Sequence, residues 1–245
     1  GDAEAIKKAA ERLKAGCLVV FPTETVYGLG ADADNESAVA RIYEVKGRPA
    51  DHPVIVHIAD LDQVDYWARA IPEYAISLMR DFWPGPMTLV LNRNNAKDFI
   101  TGGQDTVGIR MPAQQIALSL IKEFQNIGGH GIAAPSANKF GAVSPTTAHA
   151  VQEEIGDRLE PNDQILDGGP CLVGLESTII DCTGTAPRIL RPGAITAEMI
   201  EESTGKQVQS TSTNIRVSGS LDSHYAPKAK VLLNQIPETG DGFIA

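Results

Sequence analysis

Four basic side chains lie in or next to loops rich in short polar residues: Lys46 and Arg48 in the run KGRP, Arg110 at the end of an apolar run, and Arg191 in RPG. The neighbouring loops carry Thr25 in PTETVYG, Ser136 and Asn138 in PSAN, Ser144, and Ser177 in GLEST. A guanidinium offers a fork that matches phosphate or carboxylate oxygens, and an ammonium offers a point charge. Small hydroxyls beside glycine let a backbone approach an anion closely. Together these residues describe a pocket for a polyanionic small molecule with a carboxylate nearby. No obvious general base stands among them, which fits phosphoryl or nucleotidyl transfer driven by positioning and charge neutralisation.

Each piece also has a plainer reading. Lys46 and Arg48 suit the dipole of a helix end. PTETVYG, Ser136 and Asn138 suit ordinary turns. His57, inside the apolar run 54–58, reads as a core histidine, and His130 and His149 read as structural. Arg110, late in an apolar strand, needs a partner, and a bound anion is the reading adopted here. Trp67 and Trp83 read as core or lid packing. Other chemistries have no motif: the chain lacks GxxxxGK[ST], a GxGxxG turn, HExxH and GxSxG. His52 and His57 make a poor zinc pair, and no protein metal site is expected. Cys17, Cys171 and Cys182 form no CxxC and read as buried small apolar residues of a reduced protein.

These loops need strands and helices to hold them. Ile6, Ala9, Ala10 and Leu13 share one helical face, with Gly16 as a stop. Further helices are expected over 37–45, 60–69, 72–81, 114–124, 145–155 and 197–202. The helix at 145–155 takes Ser144 as its cap, ahead of a first-turn proline. Strands are expected at 17–21, 54–58, 87–91, 107–110, 131–134, 164–166, 177–182 and 188–190. Mixed strands and helices with no fixed repeat imply an α/β chain whose mixed sheet is covered by helices, with ligand loops at strand ends.

Composition narrows the classes. The 245 residues carry a formal charge of −10, with 42% hydrophobic and 21% charged residues, a globular balance. Such a charge disfavours non-specific coating of nucleic acid. No apolar run reaches the length of a membrane span, and the first 16 residues lack a signal-peptide layout, so a cytoplasmic protein is expected. After Gly205 the chain becomes rich in Ser, Thr, Asn and Gly, which marks a linker.

The motifs PTETVYGLG, KGRP, WPGPMTL, VGIRMP, PSAN, GLESTIID and ILRPG occur in this order across 1–205. The set resembles the YrdC-type threonylcarbamoyl-AMP synthases, whose KxR and SxN signature stands here as Lys46-Gly47-Arg48 and Ser136-Ala137-Asn138. The resemblance implies a YrdC-like twisted mixed sheet flanked by helices, with a concave basic face. It implies a catalytic domain over 1–205, an interdomain linker over 206–227 ending in SHYAP, and the start of a truncated Rossmann-like second domain over 228–245. It also implies an enzyme that joins L-threonine, bicarbonate or CO₂, and ATP, with Mg²⁺, into threonylcarbamoyl-AMP and pyrophosphate. Downstream transferases would then modify tRNA.

The resemblance assigns Lys46 and Arg48 as the catalytic, triphosphate-binding cations. His52, Thr106, Ser136, Asn138, Ser144, Arg191 and Tyr225 join them around ATP. Thr25, His57, Arg110 and Ser177 form the threonine pocket, which turns His57 from core residue to substrate contact. Three alternatives stay open: an RNA-binding module, which the charge and 5% aromatic content disfavour; a different enzyme on a similar fold, such as a sugar-phosphate synthase or carbamoyl-transfer domain; and an inactive nucleotide-binding regulator.

Overall fold

The computed structural model describes residues 2–210 and 213–217. Of the expected linker, residues 211–212 and 218–227, Tyr225 among them, lie outside the described residues, as does the segment 228–245. In chain order the elements are α1 (Asp2–Lys14), β1 (Val19–Phe21), β2 (Gly28–Asp32), α2 (Glu36–Lys46), β3 (Ile55–His57), α3 (Val64–Trp67), α4 (Glu73–Phe82), β4 (Met87–Asn92), α5 (Asp98–Thr101) and β5 (Thr106–Arg110). They continue with α6 (Gln115–Asn126), β6 (Ile132–Ala133), α7 (Ala148–Ile155), β7 (Gln164–Ile165), β8 (Thr178–Asp181), β9 (Arg188–Arg191) and α8 (Ala197–Thr204). The strands form one nine-stranded mixed sheet in the order β7-β1-β2-β6-β3-β5-β4-β8-β9.

Alternation along the central strands gives the sheet two unlike faces, because successive side chains point to opposite sides. Val56 of β3, Leu89 and Leu91 of β4, and Val107 and Ile109 of β5 enter the main core, with Leu29, Ile42, Trp67 and Leu78. Their neighbours Ile55, His57, Thr88, Val90, Thr106, Gly108 and Arg110 line cavities instead. On the β1–β2–β6 side, α1 and α6 close a second core with Leu13, Leu120 and Phe124 over Val19, Phe21 and Ile132. Toward the β8–β9 edge, Val217 packs on Val90 and Ile179. The strip between these two covers carries the cavities.

Local chemistry sets the helix ends. The Asn35 side chain accepts from the Ala38 amide and starts α2, and Gly47 ends it in the left-handed region at φ 62°. That turn places Lys46 and Arg48 on either side of a helix stop, with both side chains buried. The start of α7 corrects the sequence reading. Thr147, not Ser144, is its cap, accepting from the Ala150 amide, and Pro145 lies ahead of the helix with its carbonyl bound by the Tyr27 amide.

Strand β2 is a second departure. GLGAD has none of the β-branched or aromatic residues that mark a strand, yet it pairs with both β1 and β6. Here absent side chains are the asset: a Cβ on Gly30 would sit 2.8 Å from both Phe21 and Ile132. Both tryptophans are core residues, so the lid reading of Trp67 and Trp83 falls. Of the cysteines only Cys182 is buried; Cys17 and Cys171 are half-buried.

Candidate active site

A cleft of about 380 Å³ opens on the uncovered strip, lined by residues from six separate segments. Thr25, His57, Arg110, Ser136, Ser177 and Arg191 from the sequence-derived set all reach it. A second cavity of about 310 Å³ shares Ile55 with the first and contains Thr106, Gln104 and Arg216.

Sheet register builds one half of the first cleft. His57 and Arg110 are paired across the parallel strands β3 and β5, so both project from the same face at neighbouring positions. Arg110 donates to Thr25 Oγ1 at 2.9 Å and to Glu24 Oε1 at 2.6 Å. The second oxygen of Glu24 accepts from the Ala113 amide at 3.0 Å. The anion expected for Arg110 is thus supplied by the protein, through a residue that sequence reasoning passed over. Two of the five guanidinium N–H directions are not used by these bonds or by the long one to the Gly85 carbonyl.

Burial and the adjacent Arg110 charge push His57 down to about 3, so its imidazole is neutral at ordinary pH. Its Nδ1 is buried with no hydrogen-bond partner among the described residues. Ser177 Oγ and Thr88 Oγ1 are 2.8 Å apart, and Arg191 holds Ser177 through both its carbonyl and its hydroxyl.

The loops build the other half. Lys46 Nζ donates to the Ser136 and Asn138 carbonyls at 2.6 and 2.5 Å, and more weakly to Asn138 Oδ1 at 3.4 Å, tying the end of α2 to PSAN. Burial, reinforced by the charge of Arg48, pushes Lys46 down to about 7. Arg48 donates to the Pro53 carbonyl at 2.8 Å, and its Nε is buried without a partner among the described residues. Asn138 spends its amide hydrogens on the Lys139 and Ala142 carbonyls and so shapes the loop itself. His52 meets Phe140 edge-on at 5.5 Å and lines neither cavity.

A second acid missed in the sequence completes this half. Glu176 lines the cleft, accepts from Ser144 Oγ at 2.6 Å, and pairs with the Arg191 guanidinium. Gly193, two residues after Arg191, lets the two segments approach closely: a Cβ there would lie 2.6 Å from the Thr178 amide nitrogen and 2.7 Å from the Glu176 backbone carbonyl. Glu24 and Glu176 both stand inside quoted motifs, PTETVYG and GLEST. The signal that could have found them is the cost of burying Arg110 and Arg191 without counter-charges.

The site therefore combines a cleft holding the Arg110 and Arg191 guanidinium groups with two further buried cations, Lys46 and Arg48, beside it. The chain is similar to known proteins over most of its length. The family model Sua5_yciO_yrdC, described as "Telomere recombination", matches residues 11–193, and the model described as "Threonylcarbamoyl-AMP synthase, C-terminal domain" matches residues 195–241. The chain is 47% identical over 239 residues to the threonylcarbamoyl-AMP synthase of Pyrococcus abyssi, covering 95% of this chain and 68% of that protein. It is 44% identical to the Bacillus subtilis protein of the same name, covering 93% of this chain and 66% of that one. The chain thus spans about two thirds of the length of these relatives. A crystal structure of P. abyssi Sua5 complexed with L-threonine superposes with a TM-score of 0.85 at 47% identity, covering 93% of this chain and 67% of that one.

Proposed function

The chain belongs to the Sua5/YciO/YrdC family, and from that premise we propose that it makes L-threonylcarbamoyl-AMP from L-threonine, bicarbonate or CO₂, and ATP, releasing pyrophosphate. One observation carries the reading: in a chain of charge −10, Arg110 and Arg191 line one cleft and Lys46 and Arg48 are buried beside it, Lys46 bonded to the Ser136 carbonyl. Glu24 and Glu176 pair with Arg110 and Arg191, whereas among the described residues Lys46 and Arg48 donate to carbonyl and amide oxygens, so a bound anion offsets the cost of burying those two.

In this proposal Arg110 takes the threonine carboxylate, with Thr25, His57 and Ser177 around the rest of the amino acid. His57, held neutral, adds no charge there. The buried Nδ1 of His57 and Nε of Arg48 are polar atoms that a ligand satisfies. Lys46 and Arg48, the proposed catalytic cations, join Arg191, Ser136, Asn138 and Ser144 around the nucleotide phosphates, with Lys46 also fixing the loop that presents Ser136, and His52 and Thr106 approach the nucleoside side. Tyr225 is proposed to close over the nucleotide.

The threonine amine first adds to CO₂, and the resulting N-carboxylate then attacks the α-phosphorus as pyrophosphate leaves. Holding the two reactants in line supplies much of the acceleration, and the cations offset the charge on the triphosphate. Mg²⁺ enters with ATP as part of the substrate. The product passes to a tRNA-modifying transferase. Residues 1–205 are proposed as the catalytic unit, 206–227 as a linker and 228–245 as the start of a second domain. No helix among the described residues is long and apolar enough to cross a membrane, and we place the protein in the cytoplasm.

The test is pyrophosphate release with ATP, Mg²⁺, bicarbonate and L-threonine, omitting each substrate in turn. Release that needs all three supports the synthase. Release that is indifferent to threonine removes it.

A further inference from the structure

Ser144 and Arg191, both assigned above to the ATP phosphates, already hold an anion. The Glu176 carboxylate takes the Ser144 hydroxyl on one oxygen and the Arg191 guanidinium on the other. Lys46, Arg48 and Arg110 lie within electrostatic reach of the same carboxylate. Glu176 thus sits among the cations of both half-sites, with the oxygen-donor geometry of a bound phosphate.

We propose that Glu176 is an internal stand-in for a phosphate group, displaced when ATP binds and then taken up by the α-ammonium of threonine. The inference rests on the functional reading above and deepens it by naming a positioning residue that couples the two substrates. Its logic is the cost of setting two anions side by side in a buried site. ATP alone takes Ser144 and Arg191 and sets the Glu176 carboxylate beside the triphosphate, anion against anion. Threonine alone brings an ammonium toward a carboxylate still held by Arg191. With both bound, Arg110 has the threonine carboxylate, Arg191 has phosphate, and Glu176 has the ammonium. Each substrate therefore improves the affinity of the other by the same factor, as linkage requires.

The experiment is calorimetric titration of the full chain with a non-hydrolysable ATP analogue and Mg²⁺, with and without L-threonine, and the reciprocal titration. The expected wild-type result is nucleotide binding about five-fold or more tighter when threonine is present, within the usual range of coupling between sites. In E176Q, which keeps size and a hydrogen-bond acceptor but loses the charge, nucleotide alone binds more tightly than to wild type, threonine binds more weakly, and the coupling falls to less than about two-fold. E176A should lose coupling in the same way, so a poorly folded E176Q does not end the test. Weaker binding of nucleotide alone to E176Q would overturn the proposal, because it would make Glu176 a fixed support for Arg191. Equal coupling in wild type and variants would overturn it too. A wild-type protein that binds neither ligand overturns the functional reading itself.

Discussion

The two halves of the cleft are assembled by different means. The proposed threonine half is carried largely by strands: His57 and Arg110 are register partners, and Thr25 and Ser177 are bonded to Arg110 and to Thr88 and Arg191. All four residues line one cavity. The proposed nucleotide half draws on more kinds of element: Arg191 ends β9, Thr106 begins β5, Lys46 ends α2, and Ser136 and Ser144 lie in loops. Ser136 and Arg191 line that cavity, Thr106 lines the second, Ser144 reaches in through Glu176, and Lys46 is engaged with loop carbonyls. Strand register sets His57 beside Arg110, whereas Lys46, Arg48 and Arg191 are each engaged with protein acceptors that a bound phosphate would have to displace. The first half is preformed; the second is held in reserve.

Breaking the preformed half should have the largest effect. R110A leaves the Glu24 carboxylate buried with only the Ala113 amide, so unfolding free energy is expected to fall by about 3–5 kcal/mol, read by urea titration. The threonine requirement should rise steeply while dependence on ATP changes little. Adding E24Q to R110A should return part of the stability, because it removes the stranded charge. R48A should show the reverse pattern: it breaks one protein hydrogen bond, to the Pro53 carbonyl, so stability barely moves. Its kcat/KM for ATP should drop by the equivalent of about 1.5–3 kcal/mol, the worth of a hydrogen bond to a charged group. Equal dependence on both substrates in both variants would erase the division between the halves.

That division was partly legible in the residue pattern. Strands β4 and β5 follow from alternation in MTLVLN and TVGIR, and the alternation also says that Arg110 leaves the core face. Strand β2 could not be read that way, because a Gly-Leu-Gly-Ala strand is chosen by the bulk of Phe21 and Ile132 across from it. The pairings of Arg110 with Glu24 and of Arg191 with Glu176 join segments 86 and 15 residues apart, and only the folded sheet brings each pair together. The start of α7 is ambiguous in the sequence because three hydroxyl residues, Ser144, Thr146 and Thr147, precede it; the acid that claims Ser144 is distant in sequence.

Acid should expose the preformed half next. The His57 value moves from 6.5 to about 3 on folding, so the unfolded chain binds the extra proton throughout that window. The stability due to neutral His57 is complete above pH 6.5 and is lost as pH falls toward 3, at up to about 1.4 kcal/mol per pH unit. Urea midpoints at pH 7, 6 and 5 should decline, and H57N should flatten that decline. A parallel decline in both proteins would mean that His57 is not buried neutral.

The smallest contrast separates two hydroxyls three residues apart. T147A removes the α7 cap and should cost about 1 kcal/mol of stability with substrate kinetics intact. S144A removes a hydrogen bond to the buried Glu176 carboxylate, so it should cost about 1.5–3 kcal/mol of stability and, unlike T147A, raise the KM for ATP. If T147A alone altered the ATP requirement, the assignment of Ser144 to the phosphates would fail.

The central claim is that one cleft joins two substrates and a carbon from bicarbonate into a single molecule. Incubating the chain with ATP, Mg²⁺, L-threonine and ¹³C-bicarbonate, followed at once by mass spectrometry, tests it most directly. The account predicts an AMP adduct containing threonine and one ¹³C atom. AMP or ADP formed without threonine and without the label would contradict it.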